Sequence, residues 1–317
     1  MQTDQPLFII NPSSGSGRCG RQWPGVMQRL QQAGLVFDYR MSERPGHIQQ
    51  IVAEELAGGR RRLVSFGGDG TISALANGVM GQQAVPSTEP LLAHLPGGTG
   101  NDWGRTFAIP AKVDEWMAMY RRERIFAHDA GVIDLHTADG PKRHWFVNVV
   151  GMAYDSQVVK VIDEMRASKS LVQGKLLYQY VILKELIHFK TPLLDVQMDD
   201  ELIRTPVMNM AIGICRYNGD GMRPCKNADP ADGLLDIMLI RDMPRLRVVK
   251  DLPLLRSGKL EGHPYISLHR CARLVVRHTD QVDLVEADGD SVGHTPATFS
   301  VAKRALRFIV NKLPDEV

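Results

Sequence analysis

The sequence lacks the features that mark several classes of protein. It has no apolar run of 18 residues, so it predicts no helix that crosses a membrane. Its four cysteines are scattered without a CxxC pair, which argues against a zinc site and a disulfide framework and favours a reducing cytoplasm. Its histidines show no HExxH-type spacing, and a net charge of +2 creates no field for nucleic acid, so we expect no nucleic-acid partner. Residues 1–6 carry no basic segment, so we expect no signal peptide.

Strand-like and helix-like segments alternate through the first part of the chain, and the 317 residues are enough for two domains. Apolar runs predict strands at residues 7–10, 37–41, 61–66 and 91–95. Helical spacing predicts helices at about 22–33, 47–57 and 113–121, the first with Pro24 in its first turn. The alternation predicts a parallel sheet with helices on both faces, whose ligands bind beyond the carboxyl ends of the strands.

A glycine-rich turn, GGDGT at residues 67–71, follows the third predicted strand and precedes a helical pattern. Glycine lets a ligand approach the peptide N–H groups, and the positive end of a helix attracts an anion. Asp69 adds a carboxylate, which beside a bound phosphate implies a cation or a proton transfer. The alternative is a tight turn that binds nothing, although such a turn needs one glycine rather than three.

Two more turns of this kind follow the first and fourth predicted strands, at residues 11–18 and 96–103. The second contains Asp102, and two carboxylates on neighbouring strand ends, Asp69 and Asp102, are what a Mg²⁺-bound phosphate requires. Simple helix capping is the alternative for the serines of the first turn and for Asp102.

Strands dominate after about residue 130, which predicts a separate β-rich domain over residues 130–302. Strand-like runs lie at residues 132–135, 144–150, 193–198, 208–215 and 234–240. A helical insertion over about 155–189 carries apolar residues at helical spacing, which we interpret mostly as core: Leu176, Leu177, Tyr180, Val181, Leu183, Leu186 and Ile187. Residues 306–310 form a further apolar run that could return to the first domain.

Later segments combine charge with turns or with apolar residues. Residues 229–236 and 286–290 place carboxylates around Asp-Gly turns, which can hold a hard cation or can be plain hairpins. Residues 243–260 mix basic and apolar side chains. Such a segment can rest on an anionic membrane surface, or it can be an ordinary solvated helix shortened by Pro253 and Gly258.

The motifs NPSSG (11–15), GGDGT (67–71), GGTGND (97–102), DGLL (232–235) and DGD (288–290), in this order, resemble the diacylglycerol kinase catalytic family, specifically its soluble bacterial lipid kinases. The resemblance covers nearly the whole chain, whereas GGDGT alone is shared with NAD kinases and phosphofructokinases. It implies an N-terminal α/β domain that binds ATP and a C-terminal β-sandwich-like lipid-substrate domain. With the boundaries from the strand pattern these are residues 1–129 and 130–302, and whether 303–317 return to the first domain stays open. The active site would lie in the cleft between them.

The resemblance also implies roles for individual residues. ATP would be contacted by Asn11, Ser42, Gly67, Gly68, Asp69, Gly70, Thr71, Ile72, Ser73 and Thr99. Asp69 and Asp102 would organise the catalytic Mg²⁺. A second, structural Mg²⁺ would bind Asp232 and the carbonyls of Asp229 and Leu234, with water-mediated support from Asp129.

The family's general base is a glutamate that falls here on Asp290. Aspartate is one methylene shorter, and a misplacement of roughly 1 Å can cost 10²-fold in rate. Three explanations stay open: a closer acceptor, action through a water, or weak activity, with Asp288 as a substitute base.

The sequence therefore predicts an ATP- and Mg²⁺-dependent kinase acting on diacylglycerol or a related lipid alcohol. We expect a cytoplasmic protein in peripheral contact with the inner membrane surface, and a homodimer stays open. One alternative is a NAD kinase, although the Asn-Glu dipeptide that family places after its second motif is not found. Another is a weakly catalytic nucleotide- or lipid-binding regulator, which Asp290 motivates.

Overall fold

A computed structural model describes residues 5–137, 140–167, 175–278 and 284–317. The first half comprises β1 (Leu7–Ile10), α1 (Ser14–Gln32), β2 (Asp38–Met41), α2 (His47–Ala57), β3 (Arg62–Gly67), α3 (Asp69–Gly81), β4 (Leu91–Pro96), α4 (Asp102–Thr106) and α5 (Val113–Arg122). Strand β1 pairs in parallel with β2 and β3, and β3 pairs in parallel with β4. The predicted α/β sheet is therefore confirmed, with the strand order 2-1-3-4.

Both faces of this sheet are covered, which explains why β1 is apolar throughout. Leu7 and Ile9 pack in one cluster with side chains of α2 and α3. Phe8 and Ile10, which point to the opposite face, pack in a second cluster with side chains of α1 and α5.

Helix α1 begins earlier than the sequence predicts. Its assigned start is Ser14, but Gly15, Ser16 and Gly17 have left-handed backbone angles, so regular helix begins at Arg18. Pro24 consequently lies inside the helix rather than in its first turn. Gly15 and Gly17 have low helix propensity, so the sequence pattern predicts a later start for the helix. They occupy these positions because the turn needs positive φ angles.

The second half comprises β5 (Ile125–Thr137), β6 (Gly140–Phe146), β7 (Val149–Ala153), α6 (Tyr154–Ala167), α7 (Lys175–His188), β8 (Leu193–Met198), β9 (Glu201–Gly213), β10 (Leu235–Arg241), α8 (Arg245–Ser257), β11 (Ile266–Cys271), β12 (Leu274–His278), β13 (Leu284–Ala287), β14 (Asp290–His294), β15 (Ala297–Ile309) and a short 3₁₀ helix (Pro314–Glu316). Antiparallel strands β14, β13, β7, β9, β10 and β11 form one layer in that order. Strands β6, β5, β15, β12, β8 and the start of β9 form the other. One apolar core lies between the layers and confirms the β-sandwich-like half.

Two long strands connect the halves. The first part of β15 pairs with β5 and β12 in the sandwich, and after an irregularity between Ala302 and Leu306 it continues beside β4. Arg307 and Phe308 pair there in parallel with residues of β4. The predicted boundaries at 129/130 and 302/303 thus fall inside β5 and β15. These two strands are hydrogen-bonded to each other on both sides of the boundaries.

The strand predicted over residues 144–150 is wrong as a single element. Strand β6 ends at Phe146 and β7 begins at Val149, and the two belong to different layers of the sandwich. A residue distant in sequence stabilises the break: the Asp288 carboxylate accepts the N–H groups of Val147 and Asn148 at 3.0 Å each.

The apolar stripe predicted as core on the helical insertion is wrong in part. Val181 and Leu186 of α7 are buried, but Tyr180, Leu183 and Ile187 are exposed, Ile187 by 72%. The side chains of Leu176 and Leu177 lie outside the described set. Helical spacing shows that a helix has an apolar face, but it does not show what covers that face. Among the described residues, no helix combines the length and apolarity needed to cross a bilayer.

Candidate active site

Three turns meet at the carboxyl edge of the parallel sheet, as the sequence predicts. The Asn11 N–H donates to the Phe66 carbonyl at 3.1 Å, and the Gly97 N–H donates to the Gly67 carbonyl at 2.6 Å. The guanidinium of Arg18 donates to the carbonyls of Gly97, at 2.8 Å, and of Gly98. Arg18 is not among the predicted site residues, although a single arginine within a glycine-rich turn is a sequence signal for such a role.

Glycine is required where the second and third turns touch. A Cβ atom on Gly98 would overlap the Gly68 Cα, and a Cβ atom on Gly67 would overlap the Thr71 hydroxyl. The turns therefore meet backbone to backbone, which leaves their peptide groups at the edge of the sheet.

The predicted nucleotide contacts separate into two groups. Asn11, Ser42 and Thr99 lie at the sheet edge: the Ser42 N–H donates to the Ile10 carbonyl at 2.9 Å, and Thr99 is exposed. The Asn11 side-chain oxygen accepts the N–H and hydroxyl of Ser13 at 3.2 and 2.7 Å. The side chains of Thr71, Ile72 and Ser73 are buried. Any contact of Thr71, Ile72 or Ser73 with a nucleotide would therefore come from the backbone rather than the side chain.

Asp69 and Asp102 lie side by side at this edge. Asp69 Oδ1 accepts the Trp103 N–H at 3.0 Å, at the start of α4. The two carboxylate oxygens of Asp102 accept N–H groups of the loop at 220–221, at 2.9 and 2.8 Å. Both Oδ2 atoms flank Gly100, at 3.1 and 3.3 Å from the position that a Cβ atom would take there.

The electrostatics of this pair favour a cation. Burial raises the pKa of Asp69, and burial together with the neighbouring Asp69 raises the pKa of Asp102 to about 6. Arg105, 3.2 Å from Asp102, offsets this only in part. Mg²⁺ typically uses one or two carboxylates plus waters and phosphate oxygens, so this pair fits the ion. Within the described ranges, no cluster of three or more His, Cys, Asp or Glu residues forms a metal site.

Asp290 reaches the same edge from the sandwich. It lies at the start of β14 and is exposed. Its Oδ2 and Oδ1 atoms lie 3.4 and 3.8 Å from the position that a Cβ atom would take on Gly70. A carboxylate from the second half therefore faces the start of α3 across the cleft.

Asp288 has a different environment from Asp290, two residues away. It is buried and accepts the N–H groups of Val147, Asn148 and Val149 at 3.0–3.2 Å, as well as a hydrogen bond from the Ser73 side chain. Burial raises its pKa to about 7. Because its oxygens are engaged in holding α3 and the β6–β7 turn together, this placement disagrees with a role as substitute base.

An acidic pair, the buried Glu286 and the half-buried Asp155, lies beside the hairpin that carries Asp290. Glu286 accepts the Gly289 N–H at 3.0 Å, and Asp155 exchanges hydrogen bonds of 3.0 and 3.1 Å with Asn209. Burial raises the pKa of both carboxyls, and that of Glu286 well above its ordinary value. The sequence left Glu286 open between a cation-binding turn and a plain hairpin, and only the fold brings Asp155 beside it.

The residues predicted to hold a second Mg²⁺ also come together, in the loop before β10. Asp232 Oδ1 accepts the Leu234 N–H at 2.9 Å, and Asp229 Oδ1 accepts the Ala231 N–H at 3.0 Å. Asp129 on β5 accepts the Gly233 N–H at 2.7 Å. This cluster is a separate group of side chains from Asp69 and Asp102.

Two family models match the chain. Residues 5–133 match the diacylglycerol kinase catalytic domain, and residues 148–310 match the YegS C-terminal NAD kinase beta sandwich-like domain. A diacylglycerol kinase of Mycobacterium tuberculosis is 27% identical over 312 residues, which cover 95% of this chain and 93% of the relative. A protein of Xanthomonas campestris named "probable lipid kinase YegS-like" is 30% identical over 243 residues, covering 74% and 72%.

Solved structures show the same architecture. A crystal structure of a diacylglycerol kinase from Bacillus anthracis superposes with a TM-score of 0.70 at 19% identity and covers 98% of both chains. Yeast NADH kinase complexed with NADH superposes with a TM-score of 0.52 at 13% identity, covering 97% of this chain and 84% of the other. At these identities the likeness concerns the fold alone.

Proposed function

The chain belongs to the diacylglycerol kinase catalytic family, and on that premise we propose that it transfers the γ-phosphate of ATP to the hydroxyl of a lipid such as diacylglycerol. The observation that carries this proposal is the meeting of Asp290, from the sandwich, with Gly70 at the glycine-rich edge of the α/β sheet. A nucleotide phosphate and an acceptor hydroxyl brought into this cleft would lie between N–H donors on one side and a carboxylate on the other.

Each part of the edge has a task in this reaction. Phosphoryl transfer depends on positioning and charge neutralisation more than on covalent help. The backbone of residues 67–70 and the N-terminus of α3 attract the phosphates. Asp69 and Asp102 would hold Mg²⁺, which when bound neutralises phosphate charge. Asp290 accepts the proton of the lipid hydroxyl, an alcohol with a high pKa that needs a base.

Incubation of the protein with labelled ATP, Mg²⁺ and a panel of dispersed lipid alcohols tests the proposal. We expect labelled phosphate in a lipid product of the wild type and no NADP when NAD replaces the lipids. NADP formation would favour a NAD kinase. Nucleotide binding without any phosphorylated product would favour the regulator, provided that a known lipid kinase is active on the same dispersions.

Contact with an anionic membrane surface is the second part of the proposal, and α8 is the element that supports it. No residue of α8 is buried. Leu246 is 88% exposed, and Val249 and Leu252 follow it at helical spacing on an exposed face. Arg247, Lys250 and other basic residues accompany this stripe. Basic and apolar side chains on one exposed helix suit a surface of anionic lipid.

Helix α8 is linked to the cleft through a single loop. The Arg223 N–H donates to the Leu255 carbonyl of α8 at 2.7 Å. The same loop supplies the N–H groups of Asp220 and Gly221 that bind Asp102. This loop therefore connects the helix proposed to bind the membrane with the Asp102 side of the cleft.

The double variant Leu246→Glu/Val249→Glu should lower binding to vesicles containing phosphatidylglycerol by roughly tenfold, because it removes apolar contacts and adds charge that anionic lipid repels. Sedimentation with vesicles measures the bound fraction, and vesicles of phosphatidylcholine alone should bind wild type weakly. The control is Val36→Glu. Val36 is an exposed apolar residue just before β2, at the amino end of the parallel strands and away from their carboxyl edge. Equal binding of the double variant and wild type would contradict the assignment of α8.

A further inference from the structure

Four carboxylates lie close together where the two halves of the chain join. Asp129 comes from β5, Asp229 and Asp232 from the loop before β10, and Asp236 from β10 itself. Burial raises the pKa of Asp129 and of Asp236, and in both cases the charges of Asp232 and Asp229 raise it further. The four negative charges repel one another, and a cation in contact with them would relieve this repulsion.

The chain supplies a cation of its own to this cluster. Arg270 on β11 lies directly opposite Asp236 on β10 in the antiparallel pairing. Its Nε donates to Asp236 Oδ2 at 3.2 Å, and its terminal NH2 group donates to Asp232 Oδ2. A guanidinium has a planar, forked set of donors and a permanent charge, so it can bridge two carboxylates through separate N–H groups.

The resemblance implies a single carboxylate ligand, Asp232, for the structural Mg²⁺, whereas Asp69 and Asp102 offer two at the nucleotide edge. A guanidinium bound to that single carboxylate neutralises the charge on which Mg²⁺ would depend there. Asp232 already accepts Arg270 with one oxygen and the Leu234 N–H with the other. Asp129 accepts the Gly233 N–H with one oxygen and the Arg304 N–H, at 2.6 Å, with the other. The one carboxylate that the family resemblance implies as a ligand of a structural Mg²⁺, Asp232, is thus already engaged with groups of this chain, and so is the supporting Asp129.

We propose that Arg270 is the permanent internal cation of this cluster and that it takes the place of a structural divalent metal ion. The cluster joins elements of both halves, since Asp129 binds the backbone of Arg304 at the irregularity of β15. If Arg270 fills this role, the junction between the two halves is stable without a metal ion. The protein then requires metal only at the nucleotide site.

Metal analysis and thermal unfolding of the nucleotide-free, full-length protein test this inference. Wild type should carry no metal that depends on Asp232. In Asp69→Asn, which lacks a ligand of the nucleotide-site ion, the unfolding midpoint should be the same in EDTA and in millimolar Mg²⁺. Arg270→Met should lower the midpoint in EDTA by roughly 3–6 °C, because the carboxylates then repel one another. Mg²⁺ or Ca²⁺ should restore much of that loss in Arg270→Met alone.

Two further variants sharpen the comparison. Arg270→Lys keeps the charge and should retain most of the stability in EDTA. Arg204→Met removes an arginine that faces Asp195 at 3.5 Å on exposed strands, and should unfold like wild type under both conditions. Neither readout requires phosphoryl transfer, so the outcome is independent of the proposed reaction.

Either of two results would overturn the inference. One is a bound equivalent of divalent metal in wild type that Asp232→Asn removes and Asp69→Asn leaves in place. The other is an Arg270→Met protein as stable as wild type in EDTA. Should Arg270→Met fail to fold, the metal content of wild type and Asp232→Asn and the stability of Arg270→Lys still decide between the two cations.

Discussion

Asp69→Asn should lower the rate of lipid phosphorylation by about 10³-fold or more, the largest effect we expect from a single substitution. Asparagine has the shape of aspartate, and its amide oxygen can still accept the Trp103 N–H, so the start of α4 should keep its structure. What is lost is the negative charge that, together with Asp102, would hold Mg²⁺ against the phosphates. Initial rates with labelled ATP measure the effect.

The matched control for this substitution is Asp220→Asn. Asp220 lies next to the same site but is more exposed, and its side chain contacts Arg105. We expect Asp220→Asn to retain most of the activity, and both variants should unfold at temperatures close to that of wild type. An Asp69→Asn enzyme with nearly normal turnover would remove Asp69 from the metal site and leave Asp102 as the main ligand.

Asp290→Ala should lower turnover by about 10²–10⁴-fold, the range for loss of a general base. Asp290→Glu should lower it less, by roughly tenfold, although it restores the glutamate of the family. The reason is position, because the Asp290 carboxylate already faces Gly70 at the start of α3, and an added methylene would move it out of line. Turnover at saturating ATP and lipid measures both effects.

Ser291→Ala, at the next exposed position of β14, controls for disturbance of the hairpin and should leave turnover unchanged. The two substitutions at Asp290 also separate the open explanations for this residue. A large gain in Asp290→Glu would show that aspartate is too short and would favour the weakly catalytic regulator. Unchanged turnover in Asp290→Ala would remove Asp290 from proton transfer.

The sequence by itself determined the features that depend on neighbouring residues. Helix α2 begins and ends where its apolar spacing predicts, and β8 matches its predicted bounds, because periodicity is a local property. The glycine turns at 67–71 and 97–102 were evident because a close backbone approach excludes side chains at those positions. Their order along the chain was enough to indicate the family.

Only the tertiary structure decided which distant groups meet. Asp288 and Asp290 are two residues apart, yet one is buried among the N–H groups of the β6–β7 turn and the other faces Gly70. No local pattern distinguishes them, since burial depends on what packs against a hairpin from elsewhere. Likewise, the Asp-Gly turn at 232–233 suggested a metal ligand, and the pairing of β10 with β11 is what brings Arg270 to the same carboxylate.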